Sequence, residues 1–145
     1  MNTIVLKIVL DTNILIAIIG RKSPFRWIFD QIIAGQLILC ISNEILLEYQ
    51  EILSKKTSLE VADNLINFLT IHPFVVKTEI FYQFHLISED EDDNKFVDCA
   101  IAANAVCLVS NDKHFKVLKT IKFPKVNLLT LPEFVQEFKD GLTDY

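Results

Sequence analysis

Short apolar runs alternate along the chain with longer stretches in which apolar residues recur at helical spacing. Residues 4–10 (IVLKIVL) are almost continuously apolar and rich in Ile and Val, the pattern of a strand covered on both faces of a parallel sheet. Shorter runs of the same kind recur at 37–41 (LILCI), 74–76 (FVV), 106–109 (VCLV) and 126–129 (VNLL). Between them lie stretches with helix-start signals: Ser23 with Pro24 for 24–34, Ser42 for 43–54, Ser58 for 59–71, and Thr130 with Pro132 for 131–139. A Ser or Thr hydroxyl accepts a hydrogen bond from an amide that the first turn leaves unpaired, and Pro suits that turn because it has no amide to pair. A further helix over 94–105 follows an acidic loop. Strands alternating with helices predict βαβ units, hence an α/β fold with an open, mainly parallel sheet and helices on both faces. No repeat, low-complexity tract or Pro/Gly/Ser linker interrupts the pattern, so 1–145 is read as a single domain.

Composition narrows the classes. With 51% hydrophobic and 23% charged residues, the chain is not disordered. Only Gly20, Gly35 and Gly141 occur as glycines, which removes both the Gly-rich dinucleotide fingerprint and the P-loop. Cys40, Cys99 and Cys107 each sit in an apolar run and read as reduced core residues of a cytoplasmic protein. The apolar N-terminus is interrupted by Asp11 and Asn13, which argues against a signal peptide and against a membrane span. The net charge of −5 and pI near 5.1 are the reverse of the usual footprint of a nucleic-acid binder.

The acids occupy positions that need explaining. Ligands of open α/β sheets bind beyond the carboxyl ends of the strands, and Asp11 directly follows the first strand while Asp112 follows the fourth. If those strands are neighbours, the two carboxylates converge; alternatively each caps the helix after its strand. Asp98 lies in a helix that is apolar nearly all round (NKFVDCAIAANA), where an ionised carboxylate is costly unless it is paired or bound to a cation. A metal or catalytic role is favoured over a salt bridge or cap within the core. In the helix 43–54, Glu48 falls nearest the apolar stripe, while Glu44 and Glu51 turn toward solvent. The run Glu89 to Asp93 reads as a solvated acidic loop, with Asp93 kept as a peripheral acid because it is nearest the helix that carries Asp98.

Carboxylates without Cys or His clusters suit Mg2+ or Mn2+. His72, His85 and His114 show no zinc spacing. A bound cation of this kind activates water and neutralises charge on a phosphate, which permits hydrolysis of a phosphodiester.

Four motifs in order, IVLDTNILI at 8–16, S-x5-E from Ser42 to Glu48, DDNKFVDCAIAANA at 92–105 and LVSNDKHF at 108–115, resemble the PIN-domain ribonucleases, most of all the VapC-like toxin components of bacterial toxin–antitoxin pairs. The similarity runs over essentially the whole chain. It implies a three-layer α/β/α sandwich whose five-stranded, mainly parallel sheet has the order 3-2-1-4-5. It also implies Mg2+- or Mn2+-dependent endonucleolytic cleavage of RNA by Asp11, Glu48, Asp98 and Asp112. Asp11, Asp98 and Asp112 would hold the metal, Glu48 would orient or deprotonate the attacking water, and Asp93 would assist. Asn13 and Ser110 match the family's small polar positions, the first ordering the loop of the first acid and the second hydrogen-bonding an acid or a metal-bound water. Ser110 stands where Thr is common, and D-E-D-D stands where the family often has D-P-D-D.

RNA still has to be attracted. Lys113, Lys116, Lys119, Lys122 and Lys125 place five of the 14 basic residues in 13 positions after Asp112, and Arg21, Lys22 and Arg26 follow the first motif. They predict a basic rim that contacts phosphates without reading sequence, the alternative being an ordinary solvated surface. The resemblance further implies an antitoxin protein as partner and a homodimer, with no membrane association. Other readings are a PIN-like RNA-processing nuclease without a toxin role, a catalytically silent PIN-like binding module, and a phosphatase with Asp11 as nucleophile; the last lacks the second acid it needs, since Asn13 stands there. The five proposed acids (Asp11, Glu48, Asp93, Asp98, Asp112) equal the whole net excess of −5. The acidity that argued against nucleic acid is thereby reassigned to a site whose RNA binding requires divalent metal.

Overall fold

The computed structural model describes residues 5–143. Ile4, which the apolar pattern assigns to the first strand, lies outside them. The elements are β1 (Leu6–Leu10), α1 (Thr12–Ile19), α2 (Arg26–Ala34), β2 (Leu37–Ile41), α3 (Asn43–Lys56), α4 (Leu59–Ile71), β3 (Val75–Lys77), α5 (Asn94–Ala103), β4 (Cys107–Val109), β5 (Leu128–Leu129) and α6 (Leu131–Thr143). A short 3-10 turn (Glu91–Asp93) precedes α5, and a longer 3-10 segment (Lys113–Thr120) follows β4. The sheet order is β3-β2-β1-β4-β5, with every pairing parallel.

Consecutive strand residues point to opposite faces. In β1 the successive residues Ile8, Val9 and Leu10 are all buried, as are Leu39, Cys40 and Ile41 in β2. Both faces of the sheet are therefore covered, which produces the expected three-layer α/β/α sandwich. The three cysteines are free thiols in this core, and burial pushes the Cys99 and Cys107 thiols up to about 12.

The helix starts follow the sequence signals. Ser42 accepts from the Ile45 amide and Ser58 from the Val61 amide. α2 starts later than expected: the Ser23 hydroxyl accepts from the Phe25 amide, and the helix begins at Arg26. It ends at Gly35, whose φ of 84° is the left-handed conformation. A Cβ at Gly35 would also meet the Phe74 ring at 2.7 Å, so this turn requires glycine on two counts. The fifth strand is shorter than the apolar run at 126–129; only Leu128 and Leu129 pair with β4. Among the described residues, no helix is long and apolar enough to cross a membrane.

One buried hydrogen bond fixes the helix that carries Glu48. Tyr49 is fully enclosed, and its hydroxyl donates to the carbonyl of Leu10, the last residue of β1, at 2.5 Å. This ties α3 to the end of the central strand, one residue before Asp11. Replacing Tyr49 with Phe leaves that carbonyl buried and unpaired, so Tyr49→Phe is expected to destabilise the fold by about 1–3 kcal/mol. Urea unfolding checks this, and an unchanged midpoint would show that the bond contributes nothing.

Candidate functional site

β1 and β4 are adjacent and in register at Leu10 and Val109, so the residues that follow them emerge side by side. The Asp11 amide donates to the Val109 carbonyl at 3.0 Å. The Asp11 carboxylate is held on both oxygens: Oδ1 accepts from the Thr12 amide at 2.7 Å, and Oδ2 from the Ser110 hydroxyl at 2.8 Å. Ser110 also accepts from the Asp112 amide at 3.0 Å, and Asp112 Oδ1 accepts from the His114 amide at 2.9 Å. Asp11 and Asp112 therefore both cap the segment after their strand and also converge, so the two alternatives read from the sequence coexist. Burial pushes the Asp11 carboxyl up; the bonds from Ser110 and Thr12 oppose this, and the nearby Glu48 and Asp112 charges add to the rise.

Glu48 reaches this edge from α3. The Thr12 hydroxyl donates to its Oε2. Its Oε1 takes the Lys95 ammonium at 2.8 Å, and Lys95 also bridges to Asp92 at 3.0 Å. Burial alone would lower the Lys95 pKa, but its hydrogen bonds to Glu48 and Asp92 outweigh that and hold it raised. Asp93, at the N-terminus of α5, completes the group. Its carboxyl is pushed up to about 7, first by burial and then by the charges of Asp90, Asp11, Asp112 and Glu48.

Asp98 is not part of this group, contrary to the expectation that it joins Asp11 and Asp112. It is buried as expected, but its Oδ1 accepts from the Phe84 amide at 3.1 Å. After burial and that bond, the charges acting on it are those of His85 and Glu44. The reason is helical phase. At about 100° per residue, Asp93 and Asp98 point about 140° apart, so one helix cannot turn both toward the same strand ends. Asp98 instead shares a face with Asn94, one turn earlier. Asn94 holds Ile87 through a pair of 2.9 Å bonds, donating to its carbonyl and accepting from its amide. Together Asn94 and Asp98 stitch the irregular segment before Asp90 onto α5. Asp98 is thus a core acid satisfied by a backbone amide, a partner different from the salt bridge or cap that the sequence reading set second. Asp98 also lines a cleft of about 640 Å3, with Glu44, His85 and Lys95, that none of Asp11, Glu48, Asp93 and Asp112 lines.

The remaining candidates divide. Ser110 bonds an acid, as the motif suggested. Asn13 is exposed, and its side-chain oxygen accepts from Lys56 at 3.0 Å. Arg21, Lys22, Lys113 and Lys116 are exposed. Arg26 is committed internally: it donates to the Ile19 carbonyl, bridges to Asp30 and lies over the Phe29 ring. Four residues without a distinctive sequence signal also belong here: Thr12, Asp90, Lys95 and His114. Asp90 was read only as part of the solvated acidic run, and Thr12, Lys95 and His114 as residues within the quoted motifs.

The donors fit a hard divalent cation. Several carboxylates converge, and Asp93 Oδ2 and His114 Nδ1 are enclosed without a hydrogen-bond partner among the described residues. Asp90, Asp93 and His114 can each bring one donor atom within 4.8 Å of the others. Asp93 should also register in stability. A carboxyl whose pKa is raised on folding favours the fold below its unfolded value and loses that contribution as it ionises. In chelator, the thermal midpoint should therefore fall as pH rises from about 4 to about 7, and Asp93→Asn should flatten the profile. Identical profiles for the two proteins would contradict the crowding of charge at Asp93.

Comparison with known proteins agrees with this architecture. Solved structures similar to this chain include VapBC complexes, and the likeness is one of fold. For VapBC2 from Rickettsia felis bound to a DNA fragment from their promoter, identity is 24% and the TM-score 0.60, over 86% of this chain and 98% of that chain. For VapBC-1 from nontypeable Haemophilus influenzae the values are 18% and 0.56, over 86% and 98%. For DNA-bound VapBC from Salmonella typhimurium they are 16% and 0.52, with the same coverage. A comparison with curated protein sequences gives no match. The family model for the PIN domain matches residues 7–114, which include β1 from Lys7 onward, β2 to β4 and all the acids described above, and the chain belongs to the PIN domain family.

Proposed function

We propose that this protein is a Mg2+- or Mn2+-dependent endoribonuclease that hydrolyses RNA phosphodiester bonds as the toxin of a toxin–antitoxin pair. The observation that carries the reading is the convergence of Asp11, Glu48, Asp93 and Asp112 at the carboxyl edge of the sheet, where Ser110 joins Asp11 to Asp112, Thr12 joins Asp11 to Glu48, and the His114 ring lies within 4 Å of both Asp93 and Asp112. Asp11, Asp93 and Asp112 are the residues to hold the cation, Asp93 taking the place that motif resemblance assigned to Asp98. When bound, such an ion supplies charge neutralisation at the phosphate and a more acidic water.

The chain's own residues do the rest. Ser110 fixes the Asp11 carboxylate by donating to Oδ2, and its bond from the Asp112 amide ties the two acids to one hydroxyl. Glu48 is the residue to orient the attacking water. Both its oxygens already accept, from Thr12 and from Lys95, which fixes the carboxylate while each oxygen keeps a second lone pair for the attacking water. Attack by water in this arrangement leaves a 3′-hydroxyl and a 5′-phosphate. Lys113 and Lys116, exposed just beyond Asp112, and Arg21 and Lys22 beyond α1 form the rim for RNA phosphates. Arg26 is left out of that rim because its guanidinium is already used. The VapBC complexes that share the fold support an antitoxin protein as partner, and a homodimer in the cytoplasm belongs to the same reading.

Two experiments test it. Removing the Asp11 charge withdraws several kcal/mol of cation-mediated stabilisation, so Asp11→Asn should lower RNA cleavage in Mg2+ or Mn2+ by at least about 100-fold while the thermal midpoint is kept. Cleavage by the variant at the wild-type rate would defeat the assignment. The second is a paired comparison: Asp93→Asn should lose cleavage as Asp11→Asn does. Asp98→Asn, whose amide oxygen can still accept from Phe84, should stay within a few-fold of wild type. The reverse ranking would restore Asp98 to the site and remove Asp93.

A further inference from the structure

His114, half-buried, stands beside the acids at the carboxyl edge of the sheet. Asp112 caps the 3-10 segment by accepting from the His114 amide, and the imidazole lies beside Asp112 and Asp93. Nδ1 lies 3.5 Å from Asp112 Oδ1 and 3.8 Å from Asp93 Oδ2, while Nε2 lies 3.7 Å from Glu89 Oε2. Nδ1 and Asp93 Oδ2 are both enclosed and both lack a hydrogen-bond partner among the described residues. A shared proton would need them at about 2.7–3.0 Å. Two ligands on one ion, each about 2.0–2.2 Å from it, stand roughly 3–4 Å apart, which matches the spacing found.

Asp90 is set to complete the group. Its Oδ1 accepts from the Asp92 amide, and its carbonyl from the Asp93 amide, so the 3-10 turn holds Asp90 and Asp93 in fixed relation. One donor atom from each of Asp90, Asp93 and His114 can come within 4.8 Å of the others. Asp93 thus belongs to both this trio and the Asp11 group.

We propose that His114 Nδ1 is a nitrogen ligand, with Asp90 and Asp93, to a divalent-cation position that shares Asp93 with the Asp11 group, and that this nitrogen makes the position prefer Mn2+ to Mg2+. The proposal rests on the metal-dependent reading above, which needs only carboxylates and does not itself involve His114. Mg2+ demands oxygen donors in near-ideal octahedral geometry, whereas a first-row transition ion accepts imidazole alongside carboxylate. The other histidines are engaged elsewhere. The His72 ring stacks on Phe68 at 4.5 Å, and the His85 charge acts on Asp98.

Pulsed electron paramagnetic resonance of Mn2+ on the intact protein tests this directly. Bound Mn2+ should show nitrogen coupling that survives His85→Gln and disappears in His114→Gln. In the His114→Gln variant Mn2+ should bind on the order of tenfold more weakly, while Mg2+ affinity by calorimetry changes less than about twofold. The wild-type and His85→Gln spectra decide the question even if His114→Gln does not fold. Bound Mn2+ without nitrogen coupling, coupling that is lost in His85→Gln, or coupling that persists in a folded His114→Gln would overturn the role of His114 and leave the carboxylate reading standing. Absence of any Mn2+ or Mg2+ binding would overturn both.

Discussion

Like charges crowded at one end of a parallel sheet are the constraint around which the rest of this molecule is arranged. Asp11 is 7% exposed, and burial and the neighbouring carboxylates both work against its ionised form. The fold answers with directed donors: the Thr12 amide and Ser110 hydroxyl on Asp11, the Thr12 hydroxyl and Lys95 on Glu48, and the His114 amide on Asp112. None of these donors faces the enclosed oxygen of Asp93. The residual imbalance concentrates there, and it is the feature that makes a cation chemically sensible.

Such crowding is tolerable only on a rigid base. β1 is the central strand, flanked by β2 and β4 and buried on both faces, so the positions of Asp11 and Ser110 follow from backbone register rather than from side-chain choice. Tyr49 carries that rigidity into α3 through the Leu10 carbonyl. Glu48, the preceding residue of that helix, is thereby positioned by a buried bond that makes no contact with the acids.

α5 shows how one helix divides its labour by phase. Its N-terminus presents Asp93 to the strand ends. One turn apart on another face, Asn94 and Asp98 accept backbone amides from Ile87 and Phe84 and dock the irregular segment that leads to Asp90. Lys95, between them in sequence, reaches Glu48 and Asp92. A mutation at Asp98 therefore acts on the docking of that segment, whereas a mutation at Asp93 acts on the charge balance.

Much of this was legible in the residues. Two-sided apolar runs predicted the strands, and Ser42 and Ser58 marked helix starts that the structure reproduces. The strand-end positions of Asp11 and Asp112 pointed to the site because strands of a parallel sheet deliver their carboxyl ends to one edge. The place of Glu48 beside the apolar stripe of its helix made it an inward candidate, and the motif resemblance rather than the periodicity set it with the other acids. The relative places of Asp93 and Asp98 were not legible: Asp98 was set with Asp11 and Asp112 and Asp93 at the periphery, whereas the fold brings Asp93 to the strand ends and bonds Asp98 to the Phe84 amide. Burial of Asp98 was read correctly, but its amide partner lies 14 residues away at Phe84, and an apolar pattern does not tell a carboxylate bonded to backbone from one aimed at a metal. Arg26 failed for the same reason, since the Ile19 carbonyl that engages it carries no sequence signal. The sequence by itself determined the strand and helix pattern and the edge where Asp11 and Asp112 gather, because both follow from local periodicity and chain direction. Only the tertiary structure decided which acids meet and that His114 joins them, because helical phase and long-range hydrogen bonds are set by how the elements pack.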